Sequence, residues 1–273
     1  MLPTAKALFD GSVTAAPVDV GPCRHKPVPE QCAACILDTS DYFRGLSLPA
    51  KKALQERMRL HRFERHQMLH AEGQPSERVC LLMRGEVKVF RSLPDGRHQI
   101  HKLAVMPGDV IGCEDLFLKT YGSSAQALTP VTVCAVSRQE LLAAIRRDPE
   151  LGMVFMETMA RDLNAYIRHI ASLGQKQALE RLAAYLMFML ETHAQQSSDE
   201  MQVSQALSRN ELAELLGMTP RTLIRGLRAL EHRGVIAVTR SGFLIRDLPR
   251  LASLATGDDA AGAVARQAAP TRR

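Results

Sequence analysis

Arg221, Arg225 and Arg228 recur at the four- and three-residue steps that put side chains on one face of a helix. Three guanidinium groups presented together suit a polyanion, because each is permanently charged and carries a planar fork of donors that matches phosphate or the edge of guanine. The other reactive residues are six cysteines. Cys32 and Cys35 form a Cys-x-x-Cys pair, with Cys23 upstream and Cys80, Cys113 and Cys134 dispersed further on. Such a pair by itself is open to zinc binding or to reactive dithiol chemistry. The nine histidines are scattered, and His61, His66 and His70 read as residues of a solvated surface. A phosphate loop, a Gly-x-Ser-x-Gly elbow and a His-Glu-x-x-His pair are all missing, so the chain does not read as an enzyme.

The arginines need a helix held at a fixed angle, and the residues before them provide it. Ser208 with Glu211 three positions on is a capping box, and Leu212, Leu215 and Leu216 repeat on one helical face. Gly217 stops that helix. Thr219 and Pro220 then open a second, since threonine caps free N–H groups and proline at the first position loses no needed donor. In that second helix Leu223, Leu227 and Leu230 can pack inward while the arginines point out. The apolar runs 235–238 and 243–245, separated by Thr239-Arg240-Ser241-Gly242, form a hairpin signature, so the module reads as a winged helix-turn-helix. Residues 205–250 hold eight arginines and no lysine against four acidic residues, a balance suited to phosphate. Ser208, Arg221, Thr222, Arg225 and Arg228 are the candidate DNA contacts.

Composition agrees. The chain has 273 residues, 46% hydrophobic and 23% charged, long enough for two domains with their own cores. No apolar run approaches the roughly 18 residues of a membrane span and no signal-peptide core is evident, so a cytoplasmic protein without membrane contact is expected. In that compartment the cysteines are buried, redox-active or metal-binding rather than disulfide-bonded. The net charge of +6 fits a polyanionic partner.

Along the chain, residues 1 to about 30 carry few large apolar groups and read as mobile, and the first helical pattern starts at Leu48. From about Arg62 to Ser137, short apolar strands alternate with turns such as Leu93-Pro94-Asp95-Gly96 and Pro107-Gly108-Asp109, the pattern of an antiparallel β-roll or jelly roll. Arg138 to Arg147 reads as a short helix and Asp148-Pro149 opens a long one. Within it Met156, Met159, Leu163, Tyr166, Ile170 and Leu173 step by three and four, which reads as a dimer seam. The expected organisation of this α+β chain is a cysteine-containing segment over 1–47, a β-roll over 48–147, a dimerisation helix over 148–174, a winged helix over 175–250 and a disordered tail over 251–273.

The order of β-roll, long helix and winged helix resembles the Crp/Fnr family of bacterial transcription regulators. The resemblance spans roughly residues 48–250 and rests on Arg84-Gly85-Glu86-Val87-Lys88-Val89, Pro107-Gly108-Asp109-Val110-Ile111-Gly112, Glu180-Arg181-Leu182-Ala183-Ala184-Tyr185-Leu186 and the helix-turn-helix. It implies a cyclic-nucleotide-binding-like jelly roll and a homodimer on a palindromic operator in double-stranded DNA, with RNA polymerase as a further partner. The family's cyclic-AMP branch holds the nucleotide phosphate with an Arg-Ser pair. Ser123 stands where that arginine would be, which argues against a cyclic nucleotide. The wording Ser-x-Ala-Gln-Ala-Leu from Ser123 is similar instead to the oxygen-sensing Fnr branch, which the chain resembles most.

That branch implies an iron-sulfur cluster of the four-iron, four-sulfur (4Fe-4S) type, which needs four protein ligands. Cys32, Cys35 and Cys134 match ligand positions of the branch. The remaining one would fall six residues after Cys35, where Asp41 stands. Cys23 is the preferred fourth ligand, as the softer donor, with Asp41 the alternative. Cys80 and Cys113 match no ligand position and read as small buried residues. The DNA helix also departs from the family: Arg225 fits its arginine, but Arg221 replaces its glutamate, so a different operator half-site is expected.

Overall fold

A computed structural model describes residues 18–22, 35–194 and 202–257. Cys23 and Cys32 lie outside the described residues, as do 195–199 and 258–273.

The roll is two antiparallel sheets. One has the order β1 (Val18–Pro22), β2 (Arg59–Phe63), β9 (Val131–Ser137), β4 (Arg78–Arg84), β7 (Val110–Ile111). The other has the order β3 (Met68–His70), β8 (Ser124–Ala127), β5 (Val87–Ser92), β6 (His98–Ala104). Strands β4 and β9 read as unbroken apolar runs because both of their faces are buried. Cys80, Leu82, Val133 and Ala135 point between the sheets. The alternate residues Val79, Leu81, Cys134 and Val136 point the other way, into a second cluster under the helices.

Those helices are α1 (Ile36–Thr39), α2 (Leu48–Gln55), α3 (Arg138–Arg147) and the start of α4 (Pro149–Gln175). Ser47, Ser137 and Asp148 cap the last three through side-chain oxygens, with Pro149 opening the long helix as its sequence indicates. The winged helix follows as α5 (Ala178–Ala194), β10 (Gln202–Ser204), α6 (Arg209–Leu215), α7 (Pro220–His232), β11 (Ile236–Val238), β12 (Gly242–Ile245) and α8 (Leu248–Thr256). The hairpin pairs Ile236 with Ile245, and β10 adds a third strand on the far side of β12.

Four expectations are corrected. The tail does not begin at 251: Asp247 caps α8, Leu251 and Leu254 are buried, and the helix packs on α5. Residues 18–22 and 35–47 do not stand apart from the roll either, since β1 extends the first sheet along β2 and Phe43 and Leu46 are core residues; the rest of the stretch expected to be mobile lies outside the described residues. His61 and His70 are buried, the latter stacked on Tyr121 with ring centroids 3.8 Å apart, because both sit on strands whose inward positions are set by register. His66 is exposed as expected. The roll and the winged helix are not separate cores: Phe90, Ile100 and Leu128 share a cluster with Leu212, Leu215 and Phe243.

Candidate nucleic-acid interface and cysteine segment

Helix α7 is positioned by the helix and turn that precede it. In α6, Ser208 Oγ accepts from Glu211 N at 3.2 Å while Glu211 Oε2 accepts from Ser208 N at 2.8 Å, the reciprocal cap expected. Gly217 turns the chain at φ +59°, and a Cβ there would lie 2.6 Å from Leu173 Cδ2, so the turn presses on the end of α4. Thr219 Oγ1 then accepts from Thr222 N at 3.2 Å to start α7. Leu223, Leu227 and Leu230 are buried, and Arg221, Arg225 and Arg228 are exposed together. Ser208 Oγ holds the Glu211 N–H at the start of α6, whereas the Thr222 hydroxyl lies 3.0 Å from Thr219 Oγ1, the oxygen that caps α7.

Two arginines that pattern reading passed over belong to this site. Arg209 lies over the Phe243 ring at 5.0 Å, with a buried Nη1 that has no partner within the described residues. Arg181 donates to the carbonyls of Lys176 at 2.6 Å and Leu216 at 2.9 Å, tying the C-terminal ends of α4 and α6 to one guanidinium. Neither repeats with a period, and their roles depend on contacts distant in sequence.

The expected seam on α4 divides between two faces. Met156, Leu163 and Ile170 are on an open stripe together with Met153 and Ile167, all 55% to 67% exposed and spaced by three, seven, four and three residues. Met159 packs on the core beneath α1 to α3, Tyr166 meets His101 edge-on at 5.7 Å, and Leu173 packs on Gly217. These three are one step round the helix and face their own chain. Both rows repeat every seven residues, so periodicity alone did not separate them.

Within the roll, Ser123 Oγ is 3.4 Å from His101 Nε2. Lys102 is already committed to Asp162 Oδ2 at 2.6 Å and to the Val110 carbonyl at 2.8 Å. Glu114 and Asp115 each bury a carboxylate oxygen without a partner in the described residues. Burial pushes the Tyr166 hydroxyl pKa upward; Lys102 acts against that, and Glu114, Asp162 and Asp115 add to it. An anion brought here would meet the carboxylates of Glu114, Asp115 and Asp162, while the nearby cations Lys102 and Arg91 are already paired with Asp162 and Glu72.

Cys35 is half-buried and accepts from Gln55 Nε2 at 3.2 Å. Cys134, 1% exposed, lies in the cluster against which Cys35 packs. Gly21, Leu60 and Cys134 form one row across β1, β2 and β9, which sets Gly21 about 10 Å from Cys134 at two strand spacings. Asp41 turns away, 74% exposed and paired with Arg44 at 3.1 Å. Cys80 and Cys113 are buried thiols whose pKa values burial pushes up to about 12, in keeping with small core residues. The described residues hold no group of three metal-ligating side chains. The segment after Cys35 bears on α4: Phe43 meets Phe155 at 5.8 Å, Arg161 lies over Tyr42 at 5.1 Å, and Glu150 Oε1 accepts from Ser47 N at 2.8 Å.

Residues 60–148 match the family model of the cyclic nucleotide-binding domain, and residues 180–254 match that of the Crp-like helix-turn-helix domain. The chain is 30% identical over 219 residues to the CRP-like cAMP-activated global transcriptional regulator of Mycobacterium tuberculosis, covering 80% of this chain and 97% of the relative. It is 30% identical over 194 residues to the nitrogen fixation regulation protein FixK of Azorhizobium caulinodans, covering 70% and 77%. The structure of FixK2 from Bradyrhizobium japonicum superposes with a TM-score of 0.65 at 26% identity, covering 72% of this chain and 96% of that one.

Proposed function

The chain belongs to the Crp/Fnr family of bacterial transcription regulators, and on that footing we propose that it reads a palindromic operator as a two-fold dimer, gated through its N-terminal cysteine segment. The observation that carries the DNA reading is the division of α7 into three buried leucines and three exposed arginines on a capped helix pair. A helix of this kind enters the major groove, where Arg225 can donate to guanine and Arg221 and Arg228 to bases or phosphates. Arg221 reverses the charge of the family's glutamate, so the half-site differs. The open stripe of α4 is the surface for the second copy. RNA polymerase is the partner through which the bound dimer acts, in the cytoplasm; among the described residues no helix is long and apolar enough to cross a membrane. Replacing Arg225 by Ala should weaken the selected operator by about 1–3 kcal/mol while leaving random duplexes nearly unaffected. Equal losses on both would reduce Arg225 to a phosphate contact.

The gating reading rests on the donor set. Cys35 and Cys134 border one cluster, and Cys23 directly follows Pro22, whose strand partner Arg59 neighbours the Cys134 row. With Cys32, these supply four thiolates, the number a 4Fe-4S cluster requires. When bound, such a cluster supplies oxygen-labile redox chemistry. The exposed, ion-paired Asp41 is the poorer donor. Phe43, Tyr42 and Ser47 connect this segment to α4, so holding it in place biases the dimer helix. The relative from Mycobacterium tuberculosis is called cAMP-activated; here Ser123 and the buried carboxylate oxygens of Glu114 and Asp115 argue against a cyclic nucleotide. The full burial of Cys134 favours a second reading, the same scaffold without a cofactor. Iron and sulfide per chain after anaerobic reconstitution distinguish the two. Wild type should carry both and Cys23→Ser should lose them; none in wild type refutes the cluster, and loss only in Asp41→Ala reassigns the fourth ligand.

A further inference from the structure

Two lysines on neighbouring strands are enclosed, with side-chain exposures of 6% and 10%, and both are ion-paired. Lys88 on β5 places Nζ 2.6 Å from Glu211 Oε1 on α6. Lys102 on β6 places Nζ 2.6 Å from Asp162 Oδ2 on α4. Strand register sets the two on opposite faces of one hairpin. Lys102 lies across from Val89, whereas Lys88 lies across from Leu103, and successive residues of a strand point to opposite faces. Val89 packs in the roll interior, and Leu103 packs on the cluster shared with the winged helix.

The β5–β6 hairpin therefore grips α4 with one face and α6 with the other. On the α6 side Phe90 and Ile100 join the winged-helix core, and Gln99 Nε2 donates to the Glu214 carbonyl at 3.2 Å. Glu211 is held at both oxygens, Oε1 by Lys88 and Oε2 by the Ser208 N–H, so one carboxylate caps α6 and anchors it to the roll. Burial opposes its ionisation, but the Lys88 and Ser208 hydrogen bonds outweigh that and hold its pKa below the ordinary 4.5. For Lys102, burial acts downward, while the Glu114 and Asp162 carboxylates prevail and raise its pKa. Glu211 and Lys102 are thus both held in their charged forms. Breaking either leaves an enclosed charge without its partner, which ties each pair to one geometry far more strictly than a surface pair.

We propose that the β5–β6 hairpin is a two-sided strut through which the position of α4 sets that of the helix-turn-helix, with Lys102–Asp162 and Lys88–Glu211 as its joints. The inference rests on α4 as the dimer helix and α7 as the reading helix. Strands locked in register move as one body, so a shift of α4 at Asp162 carries β6, then β5, then Glu211. This route runs through the roll and is separate from the one along the chain through α5 and the Arg181 hydrogen bonds.

The test is hydrogen exchange of α6 in the full chain, which needs no DNA. Lys102→Met and Asp162→Asn break the α4 joint and leave the Lys88–Glu211 pair in place, yet α6 should exchange about tenfold faster in both, as it should in Lys88→Met. Arg91→Met, on the same strand but paired at the surface with Glu72, should leave α6 unchanged. If Lys102→Met fails to fold, Asp162→Asn suffices, because its lysine keeps the Val110 carbonyl. Adding Glu211→Gln to Lys88→Met keeps the cap and removes the stranded charge without restoring the joint, so α6 should still exchange faster than in wild type. Faster exchange confined to α4 and β6, or a full return to wild type in the double variant, overturns the strut. A protein that bound no DNA would refute the reading of α7 and leave this comparison standing.

Discussion

Leu163→Glu tests the open stripe of α4. Leu163 is 58% exposed in the single chain, and Met156, Ile167 and Ile170 beside it are 55% to 67% exposed. Full burial of a leucine is worth about 1.5–3 kcal/mol, so the part left to be covered contributes about 1–2 kcal/mol per copy and about 2–4 kcal/mol in a two-fold pair. Glutamate forfeits that and sets two carboxylates near the axis of an apolar seam, where each loses solvation. A total of about 4 kcal/mol or more raises the dimer dissociation constant roughly a thousandfold. Sedimentation equilibrium over a concentration series measures this directly. Tyr166→Phe, on the face turned to the chain's own roll, should leave the dimer constant unchanged. An unchanged dimer in Leu163→Glu would refute the assignment of the stripe, and dissociation by Tyr166→Phe would show that the other row forms the seam.

Two further outcomes follow from buried groups elsewhere. Burial, with the Arg78 guanidinium adding to it, lowers the His70 pKa from 6.5 to about 4. Between those values the unfolded chain binds a proton that the folded one does not, so stability falls as pH drops through the window, by up to about 3 kcal/mol. His70→Phe keeps a ring against Tyr121 and should flatten that part of a denaturation-against-pH profile; parallel profiles would contradict it. Arg181→Met should strand the carbonyls of Lys176 and Leu216, costing about 1–3 kcal/mol and lowering the Tm. An unchanged Tm would mean that solvent replaces the guanidinium at no cost.

The helix-turn-helix was legible residue by residue because its determinants are local. The Ser208–Glu211 box, the Gly217 turn, the Thr219–Pro220 start and the leucine and arginine spacings of α7 all act within four residues of one another, a distance over which side-chain order dictates geometry. The same holds for Asp148 and Pro149 at the head of α4. What α4 does with its two heptad rows is not local: Met159, Tyr166 and Leu173 are distinguished from Met156, Leu163 and Ile170 by the core, His101 and Gly217 standing opposite them. Strand register, set across sheets, buried His70 and brought Gly21 into the row of Cys134. The pairing of Lys88 with Glu211, 123 residues away, required two domains to close over a hairpin before either charge had a partner. Periodicity reports that a face is apolar or charged, but the element that covers that face belongs to tertiary structure, because burial is decided by contacts between segments that the chain order separates.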